Sequence, residues 1–218
     1  IDNPDAPTDT STLEFMGAFF YQYLAERREN PGNDLLSELA TASYPRGVTP
    51  DILDLVKLAV FMFAAGQDTS AKLLGNAMRY IVDVPGLQRL LRDDRDQIAW
   101  MLEEVLRLEG SSKATHRIAI RDTKIGARDI PAGTQVIVAL AAANRDRKYW
   151  GEDANEFKLN RPGVRNHIAF GRGSHTCAGA PLARAEVRAI LNALFDLTDD
   201  ISISEEKHGK PGARQYKF

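Results

Sequence analysis

Residues 170–179 have the sequence Phe170-Gly171-Arg172-Gly173-Ser174-His175-Thr176-Cys177-Ala178-Gly179, which contains the only cysteine among 218 residues. The three glycines favour a tight loop, because glycine adopts positive φ and allows close approach of the backbone. The following segment, 180–188, predicts a helix with Pro181 in its first turn. Cys177 is therefore expected just before a helix N-terminus, where unpaired amides and the macrodipole favour negative charge on sulfur.

A sulfur held in this way acts as a nucleophile or as a metal ligand, and spacing alone leaves a third interpretation open. Most free cysteines are buried and inert. A cysteine protease needs a base and an orienting residue, and their proximity to Cys177 is not visible in a sequence. A single cysteine excludes a cysteine-rich zinc site and an intramolecular disulfide.

The pattern F-G-x-G-x-H-x-C-x-G, followed by Leu182-Ala183-Arg184, resembles the haem-binding signature of the cytochrome P450 monooxygenases. The resemblance implies haem b (iron protoporphyrin IX) as cofactor, with Cys177 as the axial thiolate ligand of the iron. It also implies that Phe170 packs beneath the porphyrin and that His175 bonds a haem propionate. Gly171 and Gly179 are expected in the same cofactor-binding loop.

A long helix is predicted upstream, with Thr49 as N-cap, Pro50 at the first helical position and an end near Val82. Its middle, residues 58–65, is apolar on every face, which predicts a buried helix. The run is too short to span a membrane.

Gly66-Gln67-Asp68-Thr69-Ser70 follows this apolar run. One interpretation is a helix crossing at Gly66 with Asp68 reaching solvent. The other is that Ala65-Gly66-x-Asp68-Thr69 resembles the P450 oxygen-binding motif. The resemblance implies that Ala65 and Gly66 border the cofactor, with Gly66 leaving room for dioxygen. Thr69 and Asp68 would then deliver protons as general acids during oxygen activation.

Glu104 and Arg107 stand at i and i+3 on a predicted helix, so their side chains can meet. Most such pairs lie on surfaces and contribute little to stability. The pair also falls where P450s have a Glu-x-x-Arg motif, and Arg161 falls where the family has the third member of that network. The resemblance implies a buried structural network without a catalytic role.

Between Arg117 and about Ala141, apolar residues alternate as in strands, and turn residues interrupt them. The fold class is therefore predicted to be mainly α with a small β-sheet. Arg117 opens the first strand where the family binds a haem propionate, although a basic residue there is more often solvated. Gly110-Ser111-Ser112 departs from the family, in which proline is common, and that segment faces substrate in P450s.

Composition restricts the class of protein. Net charge is −2, from 28 basic and 30 acidic residues, which argues against nucleic acid and against a polybasic membrane surface. One cysteine fits a reducing compartment, so a cytoplasmic location is expected. We expect a single haem-binding domain over 1–218. The resemblance covers only the C-terminal half of the P450 fold, so the fold is expected to be incomplete on its N-terminal side.

The implied function is monooxygenation: one atom of O₂ enters a small hydrophobic organic substrate and the other becomes water. Electrons would come from a separate reductase chain, because no G-x-G-x-x-G fingerprint is present. The similarity to soluble bacterial P450s suggests a ferredoxin-type donor with its reductase. We expect Arg172, Arg184 and Arg188 to form the donor's basic docking surface, unless they pair with local acids. The alternatives are a haem-binding or sensing protein without turnover, a peroxide-driven haem-thiolate enzyme, and a structural domain with an inert cysteine.

Overall fold

The computed structural model describes residues 10–204, which are mainly helical with small antiparallel sheets and so confirm the predicted fold class. The helices are α1 (Ser11–Glu29), α2 (Leu35–Ala40), α3 (Ile52–Asp83), α4 (Leu87–Asp93), α5 (Gln97–Glu109), α6 (Leu140–Ala143), α7 (Arg147–Trp150) and α8 (Ala180–Leu197). The strands are β1 (Thr115–Ile118), β2 (Thr123–Ile125), β3 (Arg128–Ile130) and β4 (Gln135–Val138). The chain divides into two compact units, Ile1–Asp68 and Thr69–Phe218.

The first unit packs α1, α2 and the beginning of α3 around a small apolar core. Arg28 joins these elements, because its guanidinium donates to the carbonyl of Ala40 at 3.2 Å and to that of Pro50 at 3.1 Å. The predicted N-cap of α3 is wrong. The helix begins at Ile52, and Asp51 rather than Thr49 accepts a hydrogen bond from a first-turn amide.

The apolar middle of α3 is largely exposed, contrary to the prediction of a buried helix. Phe61 is 67 % exposed and Met62 53 %, whereas Ala59 near the start of this run and Leu55 one turn earlier belong to the core. An apolar helix surface is buried only where other elements of the fold cover it. In the first unit the described residues cover only the first turns of α3. None of the described helices has the length and apolar character needed to cross a membrane.

The core of the second unit surrounds α5, whose residues 101–108 are all buried. Side chains from the end of α3, from α4 and from α8 complete this core. Two hydrogen bonds tie α3 to the end of α5 and the segment after it: Asn76 Nδ2 donates to the Glu109 carbonyl at 2.9 Å, and Ser111 Oγ donates to the Thr69 carbonyl at 2.8 Å. Helix α5 is therefore the central helix of the second unit.

The strands form two two-stranded antiparallel sheets instead of the single sheet that was predicted. β1 pairs with β4, placing Arg117 opposite Val136, and β2 pairs with β3 as a hairpin between them. The alternation of apolar residues located the strands correctly, but Ile118 and Ile120 remain exposed. Two-stranded sheets have too little surface to bury one face by themselves.

Candidate functional site

The cysteine loop is closed by backbone hydrogen bonds. The Cys177 amide donates to the Phe170 carbonyl at 2.8 Å, and the Ala180 amide donates to the Cys177 carbonyl at 3.3 Å. Gly171 and Gly173 have φ of 71° and 84°, conformations that favour glycine. Helix α8 begins three residues after the cysteine, as predicted, and Cys177 is exposed. The loop therefore presents one sulfur at the N-terminal end of an 18-residue helix.

Gly179, the third glycine of the loop, has φ of −79°, so its backbone does not require glycine. A Cβ there would lie 3.8 Å from Cys177 Sγ, an ordinary contact distance. Phe170 is half-buried at the start of the loop, and the Arg184 guanidinium lies over its ring at 4.6 Å.

The two predicted propionate ligands are both exposed in the second unit. His175 ends a short 3-10 turn, Gly173–His175, within the cysteine loop. Arg117 is the third residue of β1 instead of its first, and it donates to Thr115 Oγ1 at 2.9 Å and to the His116 carbonyl at 2.8 Å. Their binding of a cofactor stays a prediction.

Ala65, Gly66, Asp68 and Thr69 lie together on α3 and are exposed. At Gly66, where one interpretation placed a helix crossing, an added Cβ would meet no heavy atom of the described residues within 4 Å. Asp68 is exposed, as that interpretation also expected. Ala65, Gly66 and Asp68 belong to the first unit, and Thr69 begins the second.

The Glu104 network is buried, so the interpretation of Glu104 and Arg107 as a surface pair is wrong. Arg107 donates to both carboxylate oxygens of Glu104, from Nε at 2.7 Å and from Nη2 at 2.8 Å, and both side chains are fully buried. Arg161 Nε adds a third bond at 2.9 Å and the Lys158 amide a fourth at 3.1 Å. Arg161 also donates to Asp153, and this bond lowers the pKa of that carboxyl. These contacts join α5 to the irregular segment before the cysteine loop.

A second buried cluster, not predicted from the sequence, starts at the neighbouring residue of α5. Glu103 accepts from Arg184 Nε at 2.6 Å and Nη2 at 3.0 Å, and lies 3.0 Å from His167 Nε2. Burial alone raises the pKa of Glu103, but the bonds from His167 and Arg184 outweigh it and bring the pKa to about 2. The sequence could have indicated this cluster, because it has two consecutive glutamates inside an apolar helix. Each buried carboxylate needs its own hydrogen-bonding or charged partners.

The predicted basic docking surface is largely neutralised. Arg184 pairs with Glu103, and Arg188 pairs with Asp96 at 3.1 Å, so these two arginines follow the alternative of pairing with acids. Glu186, the nearest acid in sequence, accepts instead from Ser70. Arg172 is exposed and donates weakly to the Asn166 carbonyl at 3.4 Å.

Cys177 offers a metal one possible protein ligand, its exposed sulfur. Among residues 10–204 there is no group of three or more His, Cys, Asp and Glu side chains that could hold a metal ion. A bare ion of the zinc type needs about four protein ligands. The exposed sulfur of Cys177 could supply the one protein ligand that an iron porphyrin would need.

Comparison with known proteins agrees with this chemistry. The chain matches the model of the cytochrome P450 family over residues 11–197. It is 34 % identical over 193 residues to cytochrome P450 144 of Mycobacterium tuberculosis, an alignment that covers 88 % of this chain and 44 % of the relative. It is 34 % identical over 185 residues to cytochrome P450 109 of Bacillus spizizenii, covering 84 % of this chain and 45 % of the relative. The chain thus spans about half the length of these relatives.

Solved structures give the same result. Mycobacterium marinum cytochrome P450 CYP150A6, in its substrate-free form, is similar with a TM-score of 0.88 and 46 % identity, covering 96 % of this chain and 51 % of that one. Bacillus megaterium CYP109E1 in complex with testosterone has a TM-score of 0.79 and 32 % identity, covering 84 % and 50 %. The chain therefore carries about half of a known fold, and it belongs to the cytochrome P450 family.

Proposed function

We propose that this chain is the thiolate-bearing part of a haem monooxygenase and that its cofactor is haem b. The observation that carries the proposal is the single exposed sulfur of Cys177 on a hydrogen-bonded loop before α8. When bound, a haem supplies the activation of O₂ that no amino-acid side chain provides. Family membership supports the haem, and residues 1–218 are proposed to act as one haem-binding domain.

The chain's own residues have separate roles in this proposal. Cys177 would hold the iron, and Phe170, Gly171 and Gly179 would belong to the loop that borders the cofactor. His175 and Arg117 are exposed donors, and they suit the two propionate groups because a charge-assisted hydrogen bond to a carboxylate is stronger than a neutral one.

Ala65 and Gly66 are proposed to border the oxygen side of the cofactor, followed along α3 by Asp68 and Thr69. A hydroxyl such as that of Thr69 can give a proton to a reacting oxygen and recover one from a neighbouring carboxyl, which general acid catalysis requires. The exposure of Asp68 supports this role, because a carboxyl in contact with solvent can be reloaded from water.

The proposed partners are O₂, a small hydrophobic organic substrate and a ferredoxin-type donor with its reductase. Arg172, which is exposed on the same loop as Cys177, supports an acidic donor, since opposite charges steer association. With Arg184 and Arg188 already paired, the attraction is weaker than the sequence suggested. A cytoplasmic location is proposed because the one cysteine is a free thiol, as in a reducing compartment.

The test is the spectrum of the reduced carbon-monoxide complex. The haem-loaded protein should show the far red-shifted Soret band of thiolate ligation, and Cys177→His should keep some haem but lose that band. Ser174→Ala, an exposed neighbour on the same loop, is the control and should keep the band. A thiolate band that survives in Cys177→His would refute the proposal.

A further inference from the structure

The segment that leads into the cysteine loop is held by two buried side chains. Asn144 Oδ1 accepts from the Ile168 amide at 2.8 Å, and His167 Nδ1 accepts from the Ala169 amide at 3.2 Å. The next residue is Phe170, whose carbonyl receives the Cys177 amide. The amide that His167 binds and the carbonyl that binds the Cys177 amide thus belong to consecutive residues.

The hydrogen bonds of His167 define its tautomer. Nδ1 accepts from a backbone amide, so the proton is on Nε2, which donates to Glu103 at 3.0 Å. The imidazole side chain is 2 % exposed, so solvent cannot substitute for either partner. Because the ring bonds α5 on one side and the loop entry on the other, it fixes the separation between them.

Arg184 extends this connection to the other end of the loop. Its guanidinium binds both oxygens of Glu103, and the residue lies in the second turn of α8, the helix that follows the cysteine. We call His167, Glu103 and Arg184 the α5 clamp. The clamp contacts the segment before Cys177 through Ala169 and the helix after it through Arg184.

We propose that His167 is a positioning residue for the Cys177 sulfur, acting through the Ala169 amide, and that its role is distinct from the structural role of the Glu104 network. The inference rests on the proposed haem-thiolate function. If His167 is lost, Arg184 still neutralises Glu103 through two hydrogen bonds, so no charge is left buried and unpaired. The loss should therefore act on the loop more than on the fold.

Two substitutions separate the two bonds of the imidazole. In His167→Asn the side-chain oxygen lies at the δ position, where it can accept from Ala169, but the side chain is too short to reach Glu103. In His167→Gln the amide nitrogen reaches the ε position and can donate to Glu103, but no acceptor remains at the δ position. His167→Ala removes both bonds. Asn76→Ala is the control, because it removes a side-chain bond to a backbone carbonyl that is not part of the cysteine loop.

The measurement is the rate at which the thiolate-type band of the reduced carbon-monoxide complex converts to the non-thiolate form. Outer hydrogen bonds to metal ligands are typically worth ~10–100-fold in affinity or activity, so we expect about a 10-fold faster conversion in His167→Ala and His167→Gln. His167→Asn and Asn76→Ala should stay close to wild type. Urea unfolding of the haem-free variants, followed by tryptophan fluorescence, shows whether each one folds.

The asparagine–glutamine comparison decides the question even if His167→Ala does not fold. Rescue by asparagine and not by glutamine supports the proposal. Equal conversion rates in these two variants overturn the proposal, including the case in which both convert at the wild-type rate. If wild type itself has no thiolate band, the proposed function fails, and that result is distinguishable from failure of the clamp alone.

Discussion

Replacing Glu104 by alanine should destabilise the second unit more than any surface change. The carboxylate is fully buried and receives four hydrogen bonds, three of them from the guanidinium groups of Arg107 and Arg161. Removing one member of a buried ionic set typically costs ~3–5 kcal/mol, because a buried partner is left charged and unpaired. In this network Arg107 would lose its carboxylate partner, whereas Arg161 would keep its pair with Asp153. A domain's total stability is ~5–15 kcal/mol, so Glu104→Ala should approach the limit of folding.

The assay is urea unfolding followed by tryptophan fluorescence. Trp100 and Trp150 are the only tryptophans in the sequence, and both lie in the second unit, so the signal reports the unit that contains Glu104. With an m-value of about 2 kcal/mol/M, the midpoint should fall by roughly 2 M. Glu152→Ala is the control: this glutamate is 90 % exposed and 3.5 Å from Arg147, and such pairs contribute ~0–1 kcal/mol. The reasoning is refuted if the two variants unfold at the same urea concentration.

Three further predictions use other parts of the molecule. In the haem-loaded protein, Thr69→Ala should keep substrate binding but lower the product formed per electron by about 10-fold or more, with hydrogen peroxide released instead; unchanged coupling would remove Thr69 from proton delivery. Gly110→Ala should destabilise the protein by ~1–3 kcal/mol, because the added Cβ would lie 3.0 Å from two atoms. Gly75→Ala is the control within α3: its Cβ meets open space, so the change should stabilise the protein by up to ~1 kcal/mol. Similar shifts in melting temperature for the two variants would contradict the close packing at Gly110. The pKa of Glu103 is depressed from 4.5 to about 2, so the ionised carboxylate stabilises the fold fully above pH 4.5, and this stabilisation is lost as pH falls toward 2. The difference in unfolding free energy between wild type and Glu103→Gln should therefore shrink over that interval. A difference that is equal at pH 3 and pH 7 would count against this prediction.

Local patterns predicted the elements that depend on nearby residues. Two of the three loop glycines, Gly171 and Gly173, have the positive φ that a tight loop predicts, and Pro181 lies in the first turn of α8 as expected. The long helix α3 was also predicted. The charge network of Glu104 was placed by resemblance, because i and i+3 spacing alone is equally typical of a surface pair.

Partners that are distant in sequence could not be predicted in this way. Glu103 meets His167 and Arg184 across 64 and 81 residues, and no local pattern indicates which charges pair over such separations. Arg184 was therefore assigned to the surface although its guanidinium binds a buried carboxylate. The exposure of Phe61 has the same origin, since periodicity describes one helix and burial depends on what packs against it.

The single free thiol of Cys177 makes site occupancy measurable by mass. One cysteine in 218 residues means that a thiol-specific alkylating reagent adds one label per chain, at one known atom. A sulfur bonded to iron is not available to the reagent, because the thiolate that would attack it is the ligand. If Cys177 holds iron as proposed, the unlabelled fraction in a mass spectrum reports the chains that hold iron through this atom, without reference to colour or turnover.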